Sequence, residues 1–298
     1  MVWQTYDYYY DTNAGYFAIK KANQPVNAIY NADTNYIVLS NATGQDLTGL
    51  TTTLEIYDFN GEKLTTQRST NDIGADSIVQ LMHVPVYAGT TAIQFIKTSV
   101  TDRDGNLLAD NFYWSNRLDS MNYKQLDELK EVSLSPKVQS ASCVEGVCNY
   151  TVEVTNDSDT PALMIRLKAQ NSEGEQVLPV FWEDNYFSLM PGESKTVSLE
   201  FAAKNLNGGI PALSVEGFNI IPQDIDTPSP TQSPGDVNQD GDVTAQDALM
   251  ALQAATGKIQ LTGAALDAAN VDRKDAVTSS DALLILQVAT KKISAFSF

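Results

Sequence analysis

The sequence predicts a mostly β protein of two β-sandwiches that ends in a small all-α module. Up to about residue 221, short segments alternate apolar and polar residues, with a turn signal roughly every ten residues. This pattern is typical of β-sandwiches. Beyond residue 235, helices follow acidic loops, and one loop–helix unit recurs 34 residues later. A chain of 298 residues that is 43% hydrophobic is long enough to bury a core in each part.

The first residues depart from the strand pattern. The segment GYFAIKKANQP (15–25) has apolar residues at helical spacing and stops at Pro25. Residues 1–23 are therefore interpreted as the end of a preceding domain, closing with its last helix. Because the opening residues lack the basic and apolar stretches of a signal peptide, we expect the chain to be a fragment whose signal peptide lies upstream.

Two sandwiches fit the following length, over residues 24–128 and 129–221. The boundary is placed in LDELKEVSLSPKV, where a short polar stretch leads into a new set of strands. Each strand candidate alternates apolar and polar residues, so one of its faces is predicted to pack on a core. The clearest candidates are TTTLEIYDF (51–59), AIQFIKTSVTD (92–102), NYTVEVTND (149–157), ALMIRLKAQ (162–170) and TVSLEFAA (196–203).

Two cysteines, Cys143 and Cys148, lie on either side of a predicted hairpin turn at Glu145 and Gly146. A disulfide across this hairpin is predicted for an oxidising compartment, and two reduced, half-buried thiols are the alternative. Closing so short a loop stabilises a fold by about 2 kcal/mol in the loop-closure model. No histidine or further cysteine lies nearby in the sequence, which argues against a zinc site.

Residues 222–234 are predicted to link the sandwiches to a C-terminal module at 235–298. Prolines alternate there with serine and threonine, at positions 222, 228, 230 and 234. This composition favours an extended, unpacked segment.

The loop DVNQDGDVTAQD (236–247) has the ligand spacing of an EF-hand calcium site. Oxygen-bearing side chains stand at its positions 1, 3, 5 and 12, and Gly241 occupies position 6, where the chain must turn sharply. Calcium prefers several hard oxygens from one short segment, which this spacing provides. An acidic helix cap without a metal is the alternative. The predicted ligands are Asp236, Asn238, Asp240, Asp247 and the carbonyl oxygen of Asp242.

The second loop, residues 270–281, matches the same spacing less well. Lys274 occupies ligand position 5, and Asp275 stands at position 6, where glycine is preferred. The sequence therefore predicts a strong calcium site in the first loop and a weak or altered one in the second. The predicted ligands of the second loop are Asn270, Asp272, Asp281 and the carbonyl oxygen of Ala276.

The charge of the whole chain limits its partners. A net charge of −18 argues against nucleic acid or an anionic membrane surface as a partner. No segment of the sequence approaches the roughly 20 apolar residues of a membrane span. The sequence thus predicts neither a nucleic-acid partner nor a membrane span.

The two loops, their similar helices and the preceding Pro/Ser/Thr segment make residues 235–293 resemble a type I dockerin. That resemblance implies a module that folds with calcium and binds a cohesin of a scaffold protein, as in a cellulosome. Packing in the module core is the alternative for the two leucines among the family's recognition positions. The similar helices would allow either repeat to face the cohesin. Those positions are Ala245, Gln246, Leu252 and Gln253 in the first repeat, and Ser279, Ser280, Leu286 and Gln287 in the second.

A second set of motifs lies upstream: VWQTYDYYYDTNAGYFAIKKANQP (2–25), NFYWSN (111–116), TPALMIRLKAQ (160–170) and LPVFWEDNYFSLMPGESKTV (178–197). These resemble the C-terminal part of glycoside hydrolase family 2, in the branch of exo-β-glucosaminidases and β-mannosidases. The resemblance implies that residues 1–23 are the last strand and helix of the catalytic barrel and that both sandwiches are immunoglobulin-like. It places Trp3 near the sugar site of the parent enzyme, with packing inside the barrel as the alternative.

The same resemblance places the catalytic glutamates on earlier barrel strands. The chain is therefore expected to hold no catalytic residue and to be inactive alone. Its parent would hydrolyse O-glycosyl bonds of polysaccharides outside the cell, either secreted or attached to a scaffold at the cell surface. Two alternatives without an enzyme parent stay open: a dockerin delivers sandwiches that bind carbohydrate, or sandwiches that act as spacers.

Overall fold

Strands dominate the chain up to residue 225 and helices dominate beyond it, which confirms the mostly β class. The computed structural model describes residues 4–85, 87, 92–116, 122–144, 146–171, 173–206, 210–228, 231–232, 234–238, 240–274 and 276–296. In the described part of the chain, no helix is long and apolar enough to cross a membrane. The helices are α1 (Ala14–Ala22), α2 (Ala245–Ala255), α3 (Gly263–Ala269) and α4 (Ser279–Ala289), with short 3-10 helices at Lys124–Glu128 and Ala203–Leu206.

Helix α1 lies where the sequence predicts a helix before Pro25. The side chain of Asn13 accepts a hydrogen bond from the backbone N–H of Tyr16 and caps the first turn. At the other end, Lys20 donates to the carbonyl oxygens of Trp182 and Glu183. The Lys20 ammonium lies 3.3 Å from the carbonyl oxygen of Trp182 and 2.6 Å from that of Glu183. The helix is therefore fixed to a segment that follows it by more than 150 residues.

The first set of strands forms two antiparallel sheets around one core. Their order is β1–β2–β5 in one sheet and β4–β3–β6–β7 in the other. Fully buried side chains from both sheets, among them Ile37, Leu54 and Ile96, pack in a single apolar cluster. The strands are β1 (Val26–Asn31), β2 (Tyr36–Asn41), β3 (Leu47–Tyr57), β4 (Lys63–Ile73), β5 (Ser77–His83), β6 (Ile93–Thr101) and β7 (Leu107–Asn116).

The second set also forms two sheets, in the orders β12–β10–β14–β15 and β11–β13–β9–β8–β16. Their shared core contains Tyr150, Leu167 and Phe201, each at most 1% exposed. The strands are β8 (Ser135–Val144), β9 (Val147–Thr155), β10 (Ala162–Gln170), β11 (Phe181–Trp182), β12 (Phe187–Leu189), β13 (Ser194–Ala202), β14 (Ala212–Gly217), β15 (Ile220–Ile225) and β16 (Thr231–Gln232).

A third apolar cluster joins the two sandwiches. Phe95 on β6 and Leu163 on β10 are both fully buried in it, together with Leu126 from the segment between the sandwiches. At its edge, Lys97 of the first sandwich pairs with Glu193 of the second. Because this cluster draws on both units, their stabilities are expected to depend on each other.

The segment after residue 221 is less isolated from the second sandwich than the sequence predicts. Strand β15 continues through Pro222 to Ile225, which is only 5% exposed. Proline fits there because β15 is the edge strand of its sheet, where a missing N–H is tolerated. Farther on, β16 pairs in parallel with β8. Residues 222–225 and 231–232, which lie inside the predicted linker, therefore form strands that pair with the second sandwich.

The disulfide hairpin closes the end of strands β8 and β9. Cys143 and Cys148 face each other in the ladder with their Cα atoms 4.0 Å apart, are joined by a disulfide, and are almost fully buried. Gly146 adopts a left-handed backbone conformation with φ of 75° in the turn between them. Glu145 lies outside the described residues.

Reduction of this disulfide is expected to lower the free energy of unfolding of the second sandwich by about 2 kcal/mol, because the bond constrains a short loop of the unfolded chain. Chemical denaturation with and without a phosphine reductant measures the difference. The double Cys143→Ala/Cys148→Ala variant is the control, since it should no longer respond to the reductant. An unchanged midpoint after complete reduction of the native chain would contradict the expectation.

Candidate functional site

The C-terminal module consists of two loop–helix units with the same local structure. Thr244 caps α2 and Thr278 caps α4, and in each case the aspartate three residues later completes a capping box. The two helices are both 11 residues long and pack against each other around a small core of alanine, valine and isoleucine side chains. The duplication seen in the sequence is therefore a duplication in structure. The intervening helix α3 was not anticipated.

Asp247 organises the first loop. Its Oδ1 accepts hydrogen bonds from the backbone N–H groups of Val237 and Asn238, at 2.9 and 3.0 Å. Its Oδ2 accepts from the backbone N–H and the hydroxyl of Thr244, both at 2.8 Å. The side chain is fully buried. One carboxylate thus holds the start of the loop and the start of α2 together.

The other predicted ligands of the first loop lie in the same hydrogen-bond network. Asp236, which is 1% exposed, accepts from the backbone N–H groups of Asp240 and Gly241. The side-chain amide of Asn238 donates to Asp240 at 2.7 Å. Asp242 is exposed, and its backbone N–H donates to the carboxylate of Asp240. The structure therefore brings the predicted set together around one turn.

The oxygen-rich set fits a hard cation. Burial raises the pKa of Asp236 to about 6, and the negative charges of Asp247 and Asp240 act in the same direction. Among the described residues, no three His, Cys, Asp or Glu side chains are gathered as a metal centre. Besides the carboxylates, the side-chain oxygen of Asn238 and the backbone carbonyl oxygen of Asp242 would therefore bind calcium at this loop, as the EF-hand spacing requires.

The first loop also contacts the disulfide hairpin of the second sandwich. The N–H of Gly146 donates to the carbonyl oxygen of Gly241 at 2.9 Å, and the carbonyl of Gly146 accepts from the N–H of Ala203. Gly241 has a φ of 93°, and a Cβ atom there would lie 2.1 Å from the Cα of Gly146. Only glycine satisfies both the turn and this close approach.

The second loop uses a lysine where the first uses an aspartate. The ammonium of Lys274 lies 2.8 Å from the carboxylate of Asp272, and Asp281 repeats the capping contacts of Asp247 with the N–H and hydroxyl of Thr278. The side-chain oxygen of Asn270 is buried and has no hydrogen-bond partner. The unpartnered amide oxygen of Asn270 at position 1 fits a cation ligand. At position 3, however, the Lys274 ammonium would compete with a cation for the Asp272 carboxylate.

One described residue of the second loop, Arg273, has a left-handed backbone, with φ of 54°. Asp275, at position 6 of the loop, lies outside the described residues, so the left-handed conformation expected there stays a prediction. The carbonyl ligand expected from Ala276 belongs to an exposed residue next to that position.

The predicted recognition positions lie on the surface. Leu252 is 42% exposed and Leu286 is 39% exposed, so neither leucine is a core residue. Two further leucines, Leu249 and Leu283, are 53% and 56% exposed and precede them by three residues, on the same helix faces. Neither of these two leucines was among the recognition positions expected from the sequence, although the 34-residue repeat places them at equivalent positions. Ala245, Gln246, Ser279 and Ser280 are exposed, and Gln253 and Gln287 are half-buried.

A cleft lies beside the two sandwiches, and the charged side chains described on its walls form ion pairs with each other. A cleft of about 980 Å³ lies between α1 and both sandwiches. Charged side chains on its walls are paired, as in Lys21 with Asp110 at 2.9 Å and in Lys97 with Glu193. Trp114 packs against the cluster between the sandwiches, and Trp182 packs against the second core. Trp3 lies outside the described residues.

Comparisons with known proteins assign both parts of the chain. Residues 111–220 match the family model of the exo-β-D-glucosaminidase Ig-fold domain. Residues 234–287 match the family model of the type I dockerin domain, and type I dockerin domains bind calcium. These matches confirm the two resemblances inferred from the motifs.

The similar proteins are much longer than this chain. An exo-β-D-glucosaminidase of Amycolatopsis orientalis is 30% identical over 254 residues, covering 77% of this chain and 25% of that protein. One from Streptomyces avermitilis is 29% identical, with 75% and 27% covered. The crystal structure of the Amycolatopsis orientalis exo-chitosanase CsxA superposes with a TM-score of 0.68 at 28% identity, covering 76% of this chain and 29% of that one. The chain spans about a quarter of the length of the curated relatives it matches.

Proposed function

We propose that this chain, which contains an exo-β-D-glucosaminidase Ig-fold domain followed by a type I dockerin domain, is the non-catalytic C-terminal part of a dockerin-bearing glycoside hydrolase. Its dockerin anchors the enzyme to a cohesin of a scaffold protein in the presence of calcium. The observation that carries this proposal is the duplicated geometry of residues 235–293. Two capped helices begin at oxygen-rich loops and expose equivalent leucines to solvent.

The upstream part supports a proposal for the enzyme class of the parent. Because the two relatives described above are exo-β-D-glucosaminidases, the parent is proposed to cleave β-linked glucosamine from polysaccharides outside the cell. Both sandwiches are taken as immunoglobulin-like, and residues 1–23 as the last strand and helix of the catalytic barrel. Helix α1 supports this placement because Lys20 and Lys21 fix it to both sandwiches. Chromogenic β-glucosaminides test the assignment: the chain alone is expected to be inactive, and turnover would overthrow it.

Calcium binding is proposed to be unequal between the two loops. The first loop would hold the ion through Asp236, Asn238, Asp240, Asp247 and the carbonyl oxygen of Asp242. The second has fewer carboxylates and a lysine ammonium on one of them. Bound calcium would supply the positive charge that holds the loop oxygens together.

Replacing Lys274 by aspartate is expected to create a second strong calcium site, because it removes the competing ammonium and gives the second loop the position-5 ligand of the first. Isothermal titration of the full chain should then show two strong sites where the native chain shows one. Lys292→Asp, an exposed lysine of the same module, makes the same charge change away from the loop and should leave one strong site. Two strong sites in the native chain would contradict the unequal assignment.

The exposed leucines are proposed to be the centre of the cohesin contact, on either of two equivalent faces. If both faces are usable, Leu249→Ala/Leu252→Ala alone removes one of two binding modes and weakens binding by only about twofold. The same holds for Leu283→Ala/Leu286→Ala. The quadruple variant loses the central apolar contact of both faces and is expected to bind at least about 30-fold more weakly.

Isothermal titration of these variants with a type I cohesin tests the proposal. Leu107→Ala, a leucine that is 60% exposed on the first sandwich, is the matched control and should bind as the native chain does. Loss of binding from one pair alone would overturn the two-face model. Native binding by the quadruple variant would overturn the leucine contact itself.

A further inference from the structure

One residue of the first loop contacts both a predicted calcium ligand and the second sandwich. The N–H of Gly241 donates to the carboxylate of Asp236 at 2.9 Å, and its carbonyl oxygen accepts from the N–H of Gly146 at 2.9 Å. Asp236 is the predicted ligand at position 1 and is only 1% exposed. The turn that holds this ligand is therefore braced against the disulfide hairpin of another module.

The tip of the disulfide hairpin is a rigid support for this contact. The disulfide between Cys143 and Cys148 closes the hairpin at its base, and both cysteines are buried. The carbonyl oxygen of Gly146 accepts from the N–H of Ala203, a buried residue of the same sandwich. Both backbone polar groups of Gly146 are thus bonded, one within its own sandwich and one to the first loop.

The chain just before the first loop is held at the same end of the sandwich. Strand β16 pairs with β8 next to the hairpin, with Gln232 opposite Cys143. Only residues 233–235 separate β16 from Asp236, and four residue steps span at most roughly 14 Å. While β16 is paired, the first loop is therefore confined to the neighbourhood of the hairpin, which lowers the entropic cost of its docking.

Docking leaves the proposed cohesin contact of the first repeat free. With the loop against the hairpin, Ala245 and Gln246 are exposed, Leu249 is 53% exposed and Leu252 is 42% exposed. The hairpin contacts the loop at Gly241 instead. Docking and cohesin binding therefore use different residues of the first repeat.

The contact with the hairpin depends on the folded state of the loop. Gly241 presents its carbonyl oxygen to Gly146 only while the turn around Asp236 is formed, and calcium favours that turn because it binds the ligand oxygens. Calcium therefore favours docking, and docking raises the calcium affinity by the same factor, because such coupling is reciprocal. One backbone hydrogen bond corresponds to a factor of about five.

We propose that the disulfide hairpin of the second sandwich is the docking site of the first loop, and that calcium binding in this loop fixes the dockerin to the enzyme tail. Gly146 is then a positioning residue for a metal site in another module. This inference rests on the proposed calcium site of the first loop. It implies a dockerin held in a defined orientation when calcium is bound, and a more freely moving one when calcium is removed.

Hydrogen exchange in the native full chain tests docking without any substitution. The Gly146 amide is expected to exchange about fivefold more slowly in calcium than in EGTA, because its N–H is bonded only in the docked form. The Gly174 amide, which donates within its own turn of the same sandwich, is the internal control and should exchange equally in both. Equal exchange of Gly146 with and without calcium would overturn the proposal.

Calcium titration calorimetry of Gly146→Pro measures the reciprocal effect. Proline lacks the N–H and cannot adopt the φ of 75° found here, so the first site should bind calcium about fivefold more weakly. Gly174→Pro is the matched control and should bind calcium as the native chain does. Gly174 is also a turn glycine of the second sandwich, with φ of 82°, but a Cβ atom there would meet nothing within 4 Å.

A second variant changes neither module and so cannot fail by misfolding of the hairpin. Inserting about twenty Gly and Ser residues after Gln232 lowers the effective concentration of the loop at the hairpin, and calcium binding should weaken about threefold. Native calcium affinity in both this variant and Gly146→Pro would contradict docking. So would an equal loss of affinity in Gly174→Pro.

The same measurements separate a failure of docking from a failure of the proposed function. If the native chain binds calcium strongly while Gly146 exchanges alike in calcium and EGTA, only the docking site is misassigned. If the native chain has no strong calcium site, the calcium part of the proposed function fails as well. Cohesin binding in saturating calcium should stay native in every variant, and its loss in Gly146→Pro would place the hairpin in the cohesin contact and overturn the proposal.

Discussion

Replacing Asp247 by asparagine is expected to lower the calcium affinity of the dockerin by roughly 100-fold and to unfold much of the module in the absence of excess calcium. The carboxylate accepts four hydrogen bonds from the loop and from Thr244 while fully buried. An asparagine keeps one oxygen but turns an N–H₂ donor towards other donors. It also removes one negative charge from the proposed ligand set. A small module with few core residues has little stability to lose.

Calcium titration calorimetry and far-ultraviolet circular dichroism measure the two effects. Asp242→Asn is the matched control: its side chain is exposed and its proposed role is carried by the backbone carbonyl, so calcium affinity should change by less than about threefold. If Asp247→Asn binds calcium as the native chain does, the first loop is an acidic helix cap and not the calcium site.

Truncating Phe95 to alanine is expected to destabilise the sandwich pair by about 3–5 kcal/mol, because it opens a cavity in the cluster between the units. Phe95 is fully buried and stacks on Phe112 at 5.7 Å. Because the cluster contains residues from both sandwiches, we expect the single calorimetric transition of the native pair to separate into two. Differential scanning calorimetry of the full chain in excess calcium resolves the sandwiches from the dockerin.

Ile96→Ala is the matched control for Phe95→Ala. The two residues are neighbours on β6, but Ile96 points into the core of the first sandwich. Ile96→Ala should lower the free energy of unfolding by a similar amount but leave the two sandwiches coupled. Their calorimetric transitions should therefore shift together. Separation of the transitions by both variants, or by neither, would contradict a stabilising role specific to the cluster.

The parts of the fold that follow local rules could be predicted from the sequence. Alternation of apolar and polar residues predicts β3, β6, β9 and β10 within a few residues of their observed bounds. The EF-hand spacing identified the residues that the structure joins in one network around Asp247. These features depend on contacts within a short segment, and the segment carries the information for them.

The remaining features depend on partners that are distant in sequence. Pro222 signals a linker by composition, but its strand lies at a sheet edge, where a missing N–H is tolerated. The exposure of Leu249 and Leu283 follows from how the helices pack.

The central claim is that this chain carries a calcium-dependent cohesin anchor on the tail of a glycoside hydrolase. Isothermal titration of the full chain against a panel of type I cohesins, first in calcium and then in excess EGTA, tests it most directly. We predict one-to-one binding to at least one cohesin in calcium and no binding in EGTA. Absence of binding to every cohesin in calcium, or equal binding after chelation, would contradict the claim.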